Sequence, residues 1–573
     1  RILTTPILVN RIFTRVTSRQ EVGKFLTSPA QREVMIMECN ATRQAVGVNE
    51  TVFDSMAEVP LEADIMLPDY CPDIVKILKC SLDSCVKSTH TQGRQLCLEG
   101  VCSVHILYLG EDGSGTSSGG ELRMRSIDYK IPYTKKLDLK QEADQVLVFL
   151  MKDSCYCNCR AVSKRRMELR ASLSYKICAV SCMQMQAVTD AVDDTENPMG
   201  IQLRKKTLEQ NSFVTQSRDI MEVNEELELA SGKPSVRNLI SSRVCAVMND
   251  CKLISGKIIT KGQLNIQILY TPNQSENGRN NVEQMEYSLP ISGVIDAPGA
   301  DDSCNCLAGY SVCEYELSPI ADQDGENTLF QLRAQVVMSA QVCRKTQVCL
   351  ADDCYSTRYA CEGKTQAASF LSMLDAVEQR SMYKGEIELP DGIENIISGW
   401  GSVEGTSIRQ EESDETQEKT VVVAVKLNLC LLALDQEGAV QFYDKTEDME
   451  IKIPLHDLQE QMKLIFFPQV SVQSFDYNRN GENLQVRCEV MVHGCLAGLK
   501  RCCVMGDIEV DQTKPVERED DCSLTIYYAD AGENLWEIAK RYHTAMQSVM
   551  ESNSQVELGE SGTIPKREML LIP

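Results

Sequence analysis

Aromatic side chains are scarce in this chain, 5% of the residues with only two tryptophans, and histidine is scarcer still. The five histidines, His90, His105, His456, His493 and His543, are scattered, and none falls in an H-E-x-x-H or other metal-ligand spacing. Basic residues fall short of acidic ones, 58 against 83. The resulting formal charge of −25 argues against nucleic acid or an anionic membrane as the main partner, because both call for a basic surface. It names no partner, since acidity of this kind more often serves solubility than recognition. No run reaches the roughly 18 to 20 apolar residues that span a bilayer, so no membrane span is expected. The first twenty residues, RILTTPILVNRIFTRVTSRQ, are broken by arginines and hold no apolar core of signal-peptide length. No G-x-S-x-G is present, and EGKT (362–365) has Arg358 where a P-loop needs its leading glycine. Catalysis, nucleotide binding and a cofactor are therefore not expected.

What is present in quantity is cysteine, 26 residues. In a secreted chain that number would suggest a disulfide framework. Without an export signal the reading is reduced thiols in a cytosolic compartment, used largely as small buried hydrophobes. CYCNC (155–159) and CNC (304–306) invite a metal reading. C-x-C, however, places both thiols on one strand face, whereas zinc sites usually pair two C-x₂₋₄-C units. Buried or loop thiols stand first, with oxidative cross-linking and zinc as alternatives, and no metal site is expected. Residues 1–34 are basic, six Lys/Arg against two Glu, unlike the remainder. They are read as disordered or non-native sequence ahead of a start at Met35 or Met37, in preference to an Arg-rich targeting segment.

With 573 residues, 43% hydrophobic and 25% charged, the composition is that of a soluble globular chain of about three to five domains. One pattern passes along it three times. LEADIMLPDYCPDIVKIL (61–78) is followed by VHILY (104–108), and LELASGKPSVRNLI (227–240) by IQILY (266–270). Pro72 precedes Tyr108 by the same 36 residues that separate Pro234 from Tyr270. A degraded third copy runs GEIELPDGIENII (385–397) and LNLCLLAL (427–434), with an acidic insertion QEESDETQEK (410–419). YKIP, YSLP and IKIP recur in order, as do LRASL, LRAQV and VRCEV. Each landmark has strand chemistry. ISGKIITKGQLNIQILY alternates apolar and polar residues, making Ile259, Leu264, Ile266 and Ile268 candidates for a buried face. The prolines of the second landmark predict edge strands or strand ends. LPDYCPDI is turn chemistry leading into a short helical or extended piece.

The expected fold is therefore mainly β: three tandem sandwich- or barrel-like repeats at 58–182, 218–350 and 380–505. Polar linkers are expected at 183–217, 351–379 and 506–522, the last too acidic to bury.

The end of the chain departs from this pattern. AGENLWEIAKRYHT (531–544) has Asn534 and Glu537 at capping-box spacing, then Leu535, Ile538, Ala539 and Tyr542 as one apolar stripe. Thr544 and Gln547 repeat the capping pattern before a second stripe of Met546, Val549 and Met550. LTIYY (524–528) and MLLIP (569–573) flank the pair as strands, giving a small βααβ unit over 523–573. Trp536 is read as part of the unit's own packing ahead of a sugar-stacking platform. The loop 530–534 and the one after Asn553 bracket a groove whose backbone N–H groups suit a glycan's N-acetyl groups or an extended peptide alike. Its candidate residues are Asp530, Gly532, Glu533, Asn534, Trp536, Asn553 and Ile564.

This unit resembles a LysM domain at Gly532, Leu535, Trp536, Ile538, Ala539, Tyr542, Asn553, Ile572 and Pro573. Glu533 stands where that family usually has Asp, and Asn534 where it has Thr or Ser. The LPDYCPDIVKIL stretch with its following G-x-x-x-V/I-x-I-L-Y strand resembles the SPOCS domain of spore-coat-associated proteins in endospore-forming Firmicutes. Repeated SPOCS modules ending in one LysM unit resemble the SipL-type spore morphogenesis family of clostridia, over about residues 58–573. The likeness is strongest in the first repeat and the terminal unit. It is weakest in the third repeat, where Trp400-Gly401 and the acidic insertion depart. The resemblance implies a non-enzymatic mother-cell protein at the forespore surface, cytoplasmic in location, whose LysM unit binds the coat-basement ATPase. The alternative partner is peptidoglycan glycan of the wall or cortex.

Overall fold

Buried and exposed residues alternate along stretches such as 257–262 and 284–291, and the chain is mainly β, 80% strand against 3% helix. The computed structural model describes residues 36–38, 40–111, 122–192, 198–273, 282–389, 392–412, 419–456, 462–481, 483–517, 524–559 and 562–573. The basic segment 1–34, residues 413–418 of the acidic insertion and residues 518–522 of the expected acidic linker lie outside the described residues.

After a short β1 (Ile36–Glu38) come β2 (Ala41–Met66), β3 (Asp73–Gln92), β4 (Gln95–Glu111), β5 (Leu122–Asp138), β6 (Val146–Ser163) and β7 (Arg166–Ala191). β3-β4-β5 form an antiparallel meander, and β7 pairs with both β2 and β6. The same pairing holds among β8 (Ile201–Glu228), β9 (Val236–Ile254), β10 (Lys257–Pro272), β11 (Glu283–Asp296), β12 (Asn305–Ala321) and β13 (Asn327–Ser356). Here β9-β10-β11 is the meander, and β13 lies between β8 and β12. A third group contains β14 (Tyr359–Glu388), β15 (Ile393–Glu412), β16 (Lys419–Asp435), β17 (Val440–Pro454), β18 (Met462–Phe466), β19 (Gln469–Asn480) and β20 (Asn483–Pro515). β15-β16-β17 is its meander, and β20 pairs with β14 on one side and with β18 and β19 on the other. Pro468 lies between β18 and β19; a proline cannot donate to the ladder, which accounts for the split.

Each group closes a core between its two sheets. In the first, Leu98, Val104, Ile106 and Tyr108 of β4 meet Val59 and Leu61 of β2 and Met167, Leu169 and Leu173 of β7. In the second, Leu264, Ile266, Ile268 and Tyr270 of β10 meet Phe330, Leu332 and Val336 of β13. Burial of each such side chain stabilises by about 1.5–3 kcal/mol. Even-numbered positions face inward along this part of β10, so Ile258 is buried and Ile259, expected inside, is exposed. The spacing of 36 has a physical cause, because the Tyr270 hydroxyl donates to the Pro234 carbonyl at 3.1 Å. Tyr108 points at the Pro72 carbonyl at 3.5 Å in the same way. Pro132, Pro290 and Pro454 all lie on edge strands, β5, β11 and β17, but only Pro454 ends its strand.

The stretches expected as polar linkers are largely strand. β7 and β8 extend across most of 183–217, β13 and β14 cover most of 351–379, and β20 continues to Pro515. The reason is a set of apolar contacts between groups that local composition does not reveal. Val188 and Met199 pack with Ala351, Cys354, Met505, Ile508 and Val510, and Val46 and Val48 with Leu350, Phe370 and Val504. Leu107 and Leu109 of the first group meet Ile240 and Leu269 of the second and Leu432 of the third. The first and third groups are also joined by the pair Gly405↔Ser154. A Cβ at Gly405 would lie 2.6 Å from the Asp153 carbonyl oxygen, so the approach requires glycine there.

Candidate functional site

The C-terminal unit comprises β21 (Thr525–Ala529), α1 (Leu535–Arg541), α2 (Met546–Ser552) and β22 (Glu568–Ile572), with β21 and β22 antiparallel. Helices of seven residues do not persist alone. Packing holds these two: Leu535, Ile538, Ala539 and Val549 are buried with Ile564, Leu570 and Ile572. Asn534 begins α1 from an extended conformation, its Oδ1 accepting the Trp536 N–H at 2.9 Å. Glu537, expected to complete a capping box, reaches Arg204 of β8 at 3.1 Å. The second expected box does not form. Ala545 is the N-cap of α2 with no side-chain bond, because the buried Thr544 hydroxyl turns to the carbonyls of Tyr542 and Pro573, and Gln547 bonds Glu551.

The candidate groove residues divide sharply. Asp530 and Gly532 are exposed, and Gly532 takes φ +94, which only glycine adopts easily. Glu533 fixes the turn: its carboxylate accepts the Asp530 N–H at 2.9 Å and the Tyr527 hydroxyl at 2.8 Å, and both bonds hold its pKa below the ordinary carboxylate range. Gly532 N–H donates to the Ile564 carbonyl and Ile564 N–H to that of Glu533, at 2.7 and 2.8 Å. Asn534 forms a bridge with Thr563. These pairings bring Gly532, Glu533, Asn534 and Ile564 together. Asn553, in contrast, is buried and joins α2 to β22, its amide bonding the carbonyls of Val549 and Leu571 and the Leu571 N–H at 2.7–2.8 Å. Ile564 is wholly buried.

Trp536 faces another part of the chain. Its ring meets Tyr355 of β13 edge-on at 4.9 Å, and its Nε1 donates to Asp353 Oδ2 at 2.7 Å. Lys540 Nζ bonds both oxygens of the same carboxylate at 2.7 and 2.9 Å. Burial pushes the Asp353 pKa up, but the bonds from Lys540 and Trp536 and the Lys540 charge outweigh it, and the net shift is downward. Tyr355 donates its hydroxyl to the Thr544 carbonyl at 2.8 Å, and the His543 ring lies 3.1 Å from the Ser356 carbonyl. Arg204 sits over the Trp536 ring and pairs with Asp352 and Glu537. Trp536 packing is thus shared with β13 and is not internal to the unit alone. Asp353, Tyr355 and Arg204 carry no motif that could have announced them.

One face of the unit remains open. Leu524, Ile526 and Tyr528, alternate positions at β21, are 49%, 56% and 61% exposed, with Met569 of β22 beside them at 45%. In a strand these positions share a side, so four large apolar groups face outward together.

The thiol motifs lie elsewhere. Cys155, Cys157 and Cys159 share one half-buried side of β6, and Cys157 Sγ lies 3.0 Å from Cys80 Sγ of β3. Cys80 is held protonated by its bonds to Cys157 and Cys159, whose own pKa values are lowered by the same sharing. Cys304 sits in the turn before β12, bonded to Asp301, and Cys306 faces Cys251 at 3.8 Å. Among the described residues no group of three or more His, Cys, Asp or Glu is arranged to hold a metal ion. EGKT lies within β14, paired with β20. No helix among the described residues is long and apolar enough to cross a membrane.

A meander β9-β10-β11 leading into β12, with its Tyr270–Pro234 tie, is the setting for the comparison with known families. Residues 235–319 match the family model described as SipL, SPOCS domain. The match supports a SipL-type, sporulation-related protein. It takes in β9, β10, β11 and most of β12, and so falls on the second group. No curated protein matches the chain.

Proposed function

We propose that this chain is a non-enzymatic adaptor of endospore formation. SPOCS-like β modules at about 58–182, 218–350 and 380–505 form its body, and the LysM-type unit 523–573 docks a protein of the spore-coat basement layer. It would act in the mother-cell cytoplasm at the forespore surface. The SPOCS match supports the sporulation setting. The observation that carries the docking reading is the outward apolar face of Leu524, Ile526, Tyr528 and Met569, which suits a protein surface and not a hydrated glycan. The glycan alternative is weakened residue by residue. Asn553 uses its amide to join α2 to β22, and the Trp536 ring and N–H are engaged by Tyr355 and Asp353. A charge of −25 favours a partner with a basic patch around its apolar contact.

The test uses the full chain and an Ile526→Asp/Tyr528→Asp variant with unchanged circular dichroism. The variant is expected to bind the coat-basement ATPase at least ten-fold more weakly than the parent. Retention of the parent on insoluble peptidoglycan at moderate salt, with no binding to the ATPase, overturns the adaptor reading in favour of the glycan one.

A further inference from the structure

The three strand groups border an open cavity of about 1220 Å³, lined from β3, β4 and β6 of the first, β8, β9 and β12 of the second, and β15, β16 and β19 of the third. Its wall is rich in charge, and most of that charge is paired. His105 takes Asp128 at 2.8 Å and Asp83 at 3.7 Å, and stacks on Tyr315. Lys79 pairs with Asp444, Lys87 with Glu314, and Glu404 accepts the Asn428 amide at 2.6 Å. Glu286 and Asp476 are exposed.

Three cations make no ion pair with a carboxylate among the described residues, although the Asp83 charge reaches Arg243. Arg243 lies with its guanidinium 4.0 Å from the centre of the Trp400 ring. Arg218 gives one N–H to the Val86 carbonyl, and Lys152 borders both this cavity and the adjoining one of about 510 Å³. Arg243 is half-buried and lines the cavity, and burial lowers its pKa to about 10. Burial lowers that of Arg218 too. A guanidinium has five donors in a fixed fork, and a ring face satisfies none of them. Trp400, the residue that sets the third copy apart from the repeat pattern, supports the guanidinium by cation–π contact, and both residues line the cavity.

We propose that this central cavity binds a small oxyanion-bearing solute, a carboxylate or a phosphate, gripped by Arg243 on its Trp400 platform with Arg218 and Lys152 supplying further positive charge. The bound anion neutralises the interior cations and ties the three strand groups together at their common centre.

Isothermal titration of the full chain with inorganic phosphate and, separately, with succinate and citrate distinguishes the two sources, with glycerol as the neutral control. At least one anion is expected to bind at one site per chain and to raise Tm, while glycerol does neither. Arg243→Gln is expected to weaken that binding ten-fold or more, and Arg243→Lys to recover part of it. If Arg243→Gln does not fold, Lys152→Gln serves, with a several-fold loss expected. No binding of any of the three anions to the parent at millimolar concentration overturns the proposal, as does unchanged affinity in a folded Arg243→Gln or in Lys152→Gln.

Discussion

Trp536 Nε1 donates to Asp353 Oδ2 at 2.7 Å, although 183 positions of chain separate the two residues. Lys540, one helical turn after Trp536, shares the same carboxylate. Together with Tyr355 they seat the C-terminal unit against β13.

Replacing Asp353 by Ala leaves the Trp536 N–H and the Lys540 ammonium without their acceptor. The expected cost is about 1–3 kcal/mol, felt locally as loosening of the seam. Hydrogen exchange is expected to quicken across α1 and α2 while the amides of β10 and β13 keep their protection. Unchanged exchange in the two helices would show that the carboxylate does not hold the unit in place.

Acid should act on the same contact. Because the Asp353 pKa is lowered in the folded protein, its contribution is fully present above the unfolded-state value, near 3.9, and is lost as pH falls through the folded value. From neutrality down to about pH 5 the seam is expected to hold, and below about pH 4 it should weaken. Exchange rates in α1 measured from pH 7 to 3, corrected for intrinsic chemistry, check this. In Asp353→Asn the part of the trend due to this group should vanish.

Tyr270→Phe removes the hydroxyl that bonds the Pro234 carbonyl while keeping the buried ring against Phe330. A loss of about 0.5–1.5 kcal/mol is expected, whereas Tyr270→Ala should cost about 3–5 kcal/mol through the cavity it opens. Denaturant melts of the full chain read both. If the two variants prove equal, the ring contributes nothing beyond its hydroxyl, contrary to its complete burial.

Local pattern made the strand class readable, because alternation along stretches such as 257–270 follows directly from the pleat. It also made α1 readable: Asn534 caps where expected, and Leu535, Ile538 and Ala539 share the buried stripe. Parity was harder. Ile258 and Ile259 are adjacent and equally apolar, and only pairing with β9 and β11 decides which faces the core. The candidate groove was read from the two loops that bracket it, and local sequence could not separate exposed Asp530 and Gly532 from Asn553 and Ile564, which are buried in the unit's own packing.

Alone, the sequence determined what short-range physics governs: strand alternation, the proline positions on edge strands, the constant interval that lets Tyr270 reach Pro234, and the cap at Asn534. Tertiary structure decided what depends on residues far apart in the chain. It turned the polar stretches 183–191, 201–217 and most of 351–379 into paired strand with buried apolar contacts, set Trp536 against β13, and placed Arg243 over Trp400 beside a cavity bordered by three strand groups. The division is physical: strand alternation and helix caps are set by residues near one another in sequence, whereas strand pairing and the burial of a charge or a ring are settled only when distant strands close together.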